Sequence, residues 1–456
     1  MERQAVRDLV VVLPGIMGSR LSKDGHEVWG LSGSALRRGI RTFGGSVRQL
    51  TLPQDLGDEH PGDGVEATGP MRDVHGLPGM SPLISGYTDL LDWLERSFTL
   101  DREDAQGTPN LVAFGYDWRL SCRYNAERLR VTVDRALGRW RASRPERAEA
   151  EVVLICHSMG GLVARYYAEC LGGAEVVRRI ITLGTPHRGS LDALQSLVHG
   201  VPGLSGFARS LPSLHQLLPD YACLVDGGRG LLRVDEMPGL PGVDPKLLAD
   251  AAEFHARIRA GGGGYELMPV TGVLQPTLTT GTYSAGSVLG LETIGASDEG
   301  GDGRVPRLSS CPDGFSPAFT PSEQHGSLQN NPGVRDAIWG WLASQPRSHR
   351  APEDQVRFGI RADEYPSAGA GCRVEAVVPE TFRDWDALAL RAELSPVDGG
   401  AGRPVQRTLG NRGEGRYATE FPPSAPGLYR LTVRPASARE AQSLTAHVLV
   451  GAADDE

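Results

Sequence analysis

Long apolar runs are missing from this sequence of 456 residues. The apolar run near the N-terminus covers only Leu9–Leu13, which is too short for the core of a signal peptide and far too short to cross a bilayer. No other stretch of the sequence is long and apolar enough to span a membrane. The sequence therefore predicts a cytoplasmic protein without a signal peptide or a transmembrane segment.

An excess of positive charge is also missing. There are 47 Lys and Arg residues against 56 Asp and Glu, so the formal net charge is −9 and no basic face is expected for nucleic acid. The 6 cysteines are scattered without C-x-x-C pairs, which argues against a zinc site and against a disulfide framework. We therefore expect no metal, no cofactor and no nucleic-acid partner, and a reducing compartment.

What the sequence does contain is an alternation of short aliphatic runs with amphipathic segments. The runs predict buried strands over residues 9–13, 111–114, 152–155, 179–183 and 268–274. The amphipathic segments predict helices over residues 87–98, 125–140, 161–171 and 334–342. This alternation predicts an α/β fold, in which a parallel sheet carries helices on both faces. The active site of such a sheet lies beyond the carboxyl ends of its strands.

Two insertions and a tail depart from this pattern. Residues 19–85 and 192–264 predict insertions that form a cap or lid, and residues 346–354, which are polar and contain two prolines, predict a linker. After the linker, short alternating runs such as CRVEAVV and GLYRLTV predict an all-β, immunoglobulin-like sandwich over 355–456. We therefore expect a first domain over 1–345, and a separate sandwich that positions or recruits it but takes no part in its chemistry.

The segment ICHSMGGLVARYY, residues 155–167, places Ser158 between a predicted strand and a predicted helix. A serine in this position is either an N-cap of the helix or a nucleophile on a tight turn. The nucleophile elbow, G-x-S-x-G, needs small residues two before and two after the serine, because other backbone passes close by. Gly160 meets this need, and Cys156 stands where the first glycine is expected. The motif alone leaves both interpretations open.

A serine nucleophile needs a base, and the base needs an orienting acid, both on later loops. The segment EGGDGRVP supplies Asp302 and the segment SEQHGSL supplies His325. Taken singly, Asp302 is more consistent with a turn aspartate and His325 with a histidine of a surface loop. Their order after Ser158 is the serine, acid, histidine order of α/β-hydrolases, so together the three residues favour a catalytic triad.

Other residues near these motifs compete for the same roles. Asp298 and Glu299 are the rival acids, although the glycine-flanked turn of Asp302 is tighter. His157 is adjacent to the serine and cannot easily reach its hydroxyl. His187, in GTPHRGS, is more consistent with a structural residue or a pocket wall.

An acyl-transfer enzyme also needs backbone N–H donors for the oxyanion of its tetrahedral intermediate. The residue after the nucleophile, Met159, supplies one such amide. The loop LPGIMGS after the first strand supplies the other from Ile16 or Met17, unless it is a plain glycine-rich loop.

These motifs occur in family order with VVLPGIMGSRL, FGYDWRLS, ITLGTPHRGS and LPSLHQLLP. The sequence thereby resembles the family of lecithin:cholesterol acyltransferase, lysosomal phospholipase A2 and their bacterial lipase/acyltransferase relatives, over residues 8–345. The resemblance implies an α/β-hydrolase fold with a cap or lid, and these roles: nucleophile Ser158, acid Asp302, base His325, and oxyanion-hole amides Ile16 and Met159. The sequence departs from the family at Cys156, and it has no counterpart near Trp29 of the disulfide that pins the lid in secreted animal members.

The candidate substrate-pocket residues are Met17, Trp118, His187 and Leu197. In YDWR, Trp118 and Arg119 could contact substrate, but a core tryptophan beside a buried pair of Asp117 and Arg119 is the favoured explanation. The apolar residues between Leu191 and Phe207 either form a groove for an acyl chain or pack on the sheet, and the sequence does not distinguish these alternatives.

We therefore expect a serine esterase that acts on a lipid ester through an acyl-enzyme and passes the acyl group to water or an alcohol. One alternative is a small-ester or polyester hydrolase with the same triad. An alternative from another class is a catalytically dead hydrolase domain in a binding or effector-targeting protein that works through its β-sandwich. The expected partners are a lipid or other ester and, peripherally, a membrane or lipid aggregate; a protein partner of the C-terminal domain is left open.

Overall fold

The structure is a computed structural model, and it describes most of the chain. The described residues are 3–30, 49–53, 56–73, 85–100, 102, 108–200, 205–226, 230–237, 239–294, 297–298, 300–344, 356–367, 369–379, 388–397, 403–422, 424–436 and 443–451. The predicted linker 346–354 and the rival acid Glu299 lie outside these residues, as do parts of the predicted insertion 19–85. Within the described ranges, no helix has the length and apolar character needed to cross a bilayer.

Strands and helices are numbered separately, each in chain order. The strands before residue 345 are β1 (Leu9–Leu13), β2 (Ser19–Lys23), β3 (His26–Trp29), β4 (Val65–Pro70), β5 (Leu111–Ala113), β6 (Val152–His157), β7 (Val177–Leu183), β8 (Leu224–Val225), β9 (Leu231–Leu232), β10 (Glu266–Val270), β11 (Thr280–Ser284), β12 (Ser287–Leu291), β13 (Thr293–Ile294) and β14 (Ser297–Asp298). The α-helices are α1 (Thr88–Ser97), α2 (Cys122–Ser143), α3 (Gly160–Cys170), α4 (Leu191–Val198), α5 (Ser205–Arg209), α6 (Pro212–His215), α7 (Pro245–Ala260) and α8 (Pro332–Ala343). The C-terminal strands are β15 (Gly359–Ala362), β16 (Cys372–Val377), β17 (Leu390–Pro396), β18 (Val405–Gly413), β19 (Arg416–Phe421), β20 (Gly427–Pro435) and β21 (Leu444–Val450).

A parallel sheet in the order β10-β7-β6-β1-β5 forms the centre of the first domain. Alternate residues of β1 enter two different cores: Leu9 and Val11 join the core that contains α2 and α3, whereas Val10 joins the core that contains α1 and α8. Because both faces are covered, the strands are continuous apolar runs. The predicted α/β fold is therefore confirmed.

Most boundaries differ from the sequence-based expectation by one to four residues, and for two of them the structure shows the reason. Helix α2 begins at Cys122 instead of residue 125, because the Ser121 side chain caps it by accepting a hydrogen bond from the amide of Tyr124. Strand β10 ends at Val270 instead of residue 274, because the next amide, that of Thr271, donates to the carbonyl of Phe319. The chain there leaves the main sheet for a later loop.

The region predicted as a cap over 192–264 contains two kinds of structure. Helices α4 to α6 bury their apolar side chains in the same core as the sheet, so Leu191, Leu194 and Leu197 pack and do not line an open groove. Helix α7 packs on α3, with the ring of Phe254 stacked on Tyr166 at a centroid distance of 5.4 Å. Residues 245–260 therefore cover the helix layer of the sheet.

The C-terminal strands form one antiparallel sheet in the order β15-β16-β19-β18-β17-β20-β21. The sheet folds back on itself until its two edges meet, where the amide of Leu449 donates to the carbonyl of Glu364. The alternating apolar side chains point inward and form a separate core, which includes Phe358, Val374 and Leu431. The predicted all-β domain is confirmed, and its two layers are halves of one sheet that is nearly closed into a barrel.

The first residue of α3 allows a sharp test of packing. A Cβ on Gly160 would lie 2.5 Å from the carbonyl oxygen of Pro14, whereas a Cβ on Gly138 in the exposed face of α2 would meet nothing within 4 Å. We expect Gly160→Ala to lower the free energy of unfolding by about 1–3 kcal/mol through overpacking. The matched control, Gly138→Ala, should raise it by up to about 1 kcal/mol through helix propensity. Urea unfolding of both variants measures these free energies, and equal changes in the two would contradict the close packing of Gly160 on Pro14.

Candidate active site

Ser158 occupies a strained turn between the end of β6 and the start of α3. Its φ is +52°, in the left-handed region that non-glycine residues rarely adopt. Both backbone polar groups of Ser158 are hydrogen-bonded. Its amide donates to the carbonyl of Leu183 at 2.9 Å, and its carbonyl accepts from Thr185 Oγ1 at 2.8 Å. The α3 N-cap is Met159 and has no capping side-chain bond. The interpretation of Ser158 as a helix cap is therefore wrong.

The structure brings Ser158, His325 and Asp302 together in one hydrogen-bonded series. His325 Nε2 lies 2.9 Å from Ser158 Oγ, and His325 Nδ1 lies 2.7 Å from Asp302 Oδ2. A neutral imidazole donates through one nitrogen and accepts through the other, so a proton on Nδ1 leaves Nε2 free to accept from the serine hydroxyl. This is the arrangement in which a histidine can act as a general base toward serine.

The carboxylate of Asp302 is buried and held by its own loop. Its Oδ1 accepts from the amides of Arg304 at 3.0 Å and Val305 at 2.7 Å, which leaves Oδ2 for His325. The rival Asp298 is exposed on β14 and accepts from the amide of Gly300 within its own turn. Between the two aspartates, only Asp302 contacts the histidine.

Cys156, at the first-glycine position of the elbow, points into the core. It is fully buried in β6 and opposes Leu13 of β1 and Thr182 of β7. Burial raises the pKa of this thiol well above its ordinary value, so it is not a rival nucleophile.

His157 and Tyr87 form a second buried network beside the triad, and sequence analysis missed its role. His157 Nε2 lies 2.9 Å from the carbonyl oxygen of His325, and Nδ1 lies 2.8 Å from the Tyr87 hydroxyl, which accepts from the amide of Gly15 at 2.9 Å. Desolvation, followed by the nearby charge of His325, lowers the pKa of His157 to about 3, so its ring is neutral. Nε2 therefore donates and Nδ1 accepts, and the network joins the loop of the base to the loop after β1.

The loop after β1 forms a tight turn next to the serine. The amide of Gly18 donates to the carbonyl of Gly15 at 3.0 Å, and Met17 has a φ of +60°. A Cβ on Gly15 would lie 2.8 Å from Ser158 Cβ, so only glycine permits this approach. In the described part of the chain, no hydrogen bond uses the amides of Ile16 or Met159. Both predicted oxyanion donors are thus unengaged beside Ser158.

The predicted pocket residues differ in exposure. Met17 is 44% exposed, whereas Trp118 and Leu197 are fully buried and His187 is nearly so. The Trp118 ring packs against Trp29, and its Nε1 donates to the carbonyl of Ser19 at 3.1 Å. Trp118, His187 and Leu197 therefore offer no surface to a substrate here, which corrects the expectation of a pocket wall.

The expected pairing in YDWR is confirmed. Arg119 Nη2 lies 2.7 Å from Asp117 Oδ2, and Arg119 Nη1 lies 2.8 Å from Asp63 Oδ2. The segment therefore anchors a loop of the predicted insertion. In the same described ranges, no group of three or more His, Cys, Asp or Glu side chains is arranged to hold a metal ion.

Residues 85–216 match the family model for lecithin:cholesterol acyltransferase. This match covers less than a third of the chain. The segment contains Ser158 and Met159, whereas Ile16, Asp302 and His325 lie outside it. An uncharacterized protein of Saccharomyces cerevisiae, YJR098C, is 33% identical over 88 residues, which are 19% of this chain and 12% of the yeast protein. The family match supports a hydrolase of the lipase and acyltransferase type.

Two solved structures resemble this chain at low sequence identity. The chain in the Tle4-Tli4 complex is 18% identical with a TM-score of 0.49, and the match covers 75% of this chain and 98% of that one. Mature lipase BlEst2 of Bacillus licheniformis is 10% identical with a TM-score of 0.39, and the match covers 75% of this chain and 94% of that one.

Glu323 is a buried carboxyl two residues before His325. Its Oε1 accepts from the amide of Gln324 at 2.9 Å and its Oε2 accepts from Asn331 Nδ2 at 3.1 Å. Desolvation outweighs these bonds and raises its pKa to about 7. The Glu323 carboxyl is therefore protonated in mildly acidic solution. In alkaline solution it is charged, and the buried charge lowers the stability of the folded state.

The raised pKa predicts how stability changes with pH. The folded state holds the Glu323 proton more tightly than the unfolded state, so the free energy of unfolding should fall between about pH 4.5 and about pH 7. The full loss is about 3 kcal/mol and persists above that range. Glu323→Gln should remove this fall, whereas Glu66→Gln, at an exposed glutamate of β4, should retain it. Urea unfolding at pH 5 and pH 8 measures the effect; a parallel fall in the Glu323→Gln protein would contradict it.

Proposed function

We propose that this protein is a serine esterase of the lipase and acyltransferase type, with Ser158 as nucleophile, His325 as base and Asp302 as acid. The observation that carries the proposal is the series from Ser158 Oγ to His325 Nε2 at 2.9 Å and from His325 Nδ1 to Asp302 Oδ2 at 2.7 Å. The strained backbone at Ser158 supports it, because such strain persists at functional sites.

The reaction begins when Ser158 Oγ attacks the ester carbonyl carbon and His325 Nε2 takes the serine proton. The carbonyl oxygen becomes an oxyanion, and the amides of Ile16 and Met159 donate to it. One such donor contributes about 2.7–4 kcal/mol to transition-state stabilisation. The C–O bond to the leaving group then breaks, and His325 returns the proton to the departing alkoxide oxygen.

The second half of the reaction repeats these steps with a new acceptor. Water or an alcohol gives its proton to His325 Nε2 and attacks the acyl-enzyme, and Ser158 regains its proton as the leaving group. The Asp302 carboxylate stabilises the charged imidazole in both halves. Hydrolysis and acyl transfer differ only in which acceptor arrives.

The substrate that we propose is a lipid ester presented at a membrane or lipid aggregate. The family match over residues 85–216 supports a lipid ester, and exposed Met17, two residues after the Gly15 that packs on Ser158, offers an apolar contact. The alternative of a small-ester or polyester hydrolase uses the same steps. The alternative of a catalytically dead binding protein is disfavoured by the complete hydrogen-bonded series at Ser158.

Ser158→Ala should abolish hydrolysis of a short p-nitrophenyl ester, with a loss of about 10⁴-fold or more, because no other group forms the acyl-enzyme. A fluorophosphonate probe should label the wild-type protein and fail to label Ser158→Ala. Ser424→Ala, at a half-buried serine of the C-terminal domain, is the control and should label normally. Labelling or turnover that survives in folded Ser158→Ala would refute the serine mechanism.

Asp302→Asn should reduce kcat on the same ester by about 10⁴-fold, because an amide in place of Oδ2 leaves His325 in the wrong tautomer. Asp298→Asn is the matched control, since Asp298 is exposed and bonds only within its own turn among the described contacts. Steady-state kinetics of both variants makes the comparison. A larger loss in Asp298→Asn would mean that the acid is misassigned.

A further inference from the structure

The start of the C-terminal domain packs against the loop that carries the proposed base. We call residues 356–362, which end with β15, the bracing strand. The carbonyl of Phe358 accepts from Ser322 Oγ at 3.0 Å, and the carbonyl of Ile360 accepts from Gln324 Nε2 at 3.1 Å. Gln324 immediately precedes His325. The bracing strand therefore holds the base loop by two hydrogen bonds to its own backbone.

A fully buried amide, that of Gln275, connects the bracing strand to both loops of the proposed triad. Its Oε1 accepts from the amide of Ile360 at 3.0 Å and from Gln324 Nε2 at 2.8 Å. Its backbone amide donates to the carbonyl of Gly301 at 3.1 Å, and Gly301 immediately precedes Asp302. One residue of the first domain thus contacts the acid loop, the base loop and the second domain.

Two further contacts hold the same junction. A Cβ on Gly359 would lie 2.0 Å from the carbonyl oxygen of Leu274, so the bracing strand sits directly on the backbone before Gln275. On the acid loop, Arg304 forms an ion pair with Glu364, which follows the bracing strand. The junction therefore reaches both loops through backbone packing as well as through side chains.

We propose that Gln275 is a positioning residue and that the bracing strand holds the acid and base loops in register for turnover. The proposal rests on the triad proposed above, and it replaces the expectation that the C-terminal domain takes no part in the chemistry. If the bracing strand moved away, the Gln275 amide and the Gln324 amide would lose hydrogen-bond partners, and a buried amide left unsatisfied is costly. A misplacement of about 1 Å in a catalytic group can cost about 10²-fold in rate.

The test uses full-length variants on the two sides of the junction. Gln275→Leu removes the connecting amide, and Gly359→Ala pushes the bracing strand away from Leu274 without touching the site. For a soluble p-nitrophenyl ester, we expect kcat to fall by about 10–100-fold in Gln275→Leu and by about 10-fold in Gly359→Ala. We expect KM to change by less than about 3-fold, because neither residue contacts the substrate.

Matched controls separate positioning from general destabilisation. Gln406→Leu changes an exposed glutamine of β18, and Gly410→Ala adds a Cβ whose nearest atom would be at 3.6 Å. Both controls should keep wild-type kcat. A fluorophosphonate probe should label Gln275→Leu and Gly359→Ala to the same final extent as the wild type, but more slowly, because the nucleophile is present and its base is displaced.

The outcomes are distinguishable from failure of the proposed function. A wild-type protein that neither hydrolyses the ester nor binds the probe would refute the esterase itself. If the wild type is active and both folded Gln275→Leu and folded Gly359→Ala keep wild-type kcat, the positioning role of Gln275 and of the bracing strand is refuted. The proposed esterase would stand. If Gln275→Leu does not fold, as judged by circular dichroism, Gly359→Ala decides the question.

Discussion

The reversed backbone at Ser158 is the constraint on which the rest of the site depends. A positive φ at a serine is costly, so it persists only where the neighbouring structure fixes it. Here the fixing comes from close backbone packing: Gly160 sits against the carbonyl of Pro14, and Gly15 sits against Ser158 itself. Neither approach leaves room for a side chain. The end of β1, the turn and the first residue of α3 are therefore one packed unit, and this unit sets where the proposed oxyanion donors lie.

Buried polar groups transmit this geometry to the other loops. The series from Gly15 through Tyr87 and His157 to the carbonyl of His325 joins residues from four separate parts of the chain. A neutral imidazole suits this role, because it satisfies one donor and one acceptor without a buried charge. The low pKa of His157 keeps the ring in that form over the range in which the protein is expected to work. Since each unsatisfied buried group is costly, the network favours one arrangement of the loops.

Sequence analysis succeeded where the signal is local and failed where it depends on distant contacts. Aliphatic runs predicted the strands. The motifs around Ser158, Asp302 and His325 identified three residues that lie together in the structure. No local pattern distinguishes Gln275 or Tyr87 from a glutamine or tyrosine on the surface, because their hydrogen-bond partners are tens of residues away in the chain. For Trp118 and Leu197 the sequence left both a pocket and a core role open, because an apolar side chain suits either, and only packing separates the two.

The sequence composition changes at the boundary between the two domains, but the junction shows that the two domains still depend on each other. The tail has its own core, and its strands pair only with one another among the described residues. Its first strand nevertheless supplies backbone groups that complete the hydrogen bonding of a fully buried glutamine in the first domain. A buried amide is satisfied only when its partners are in place, so docking of the tail and order of the acid and base loops are coupled. Within the first domain, His157 also contacts the base loop and Asp192 contacts the acid loop, so the second domain adds to contacts that these loops already have.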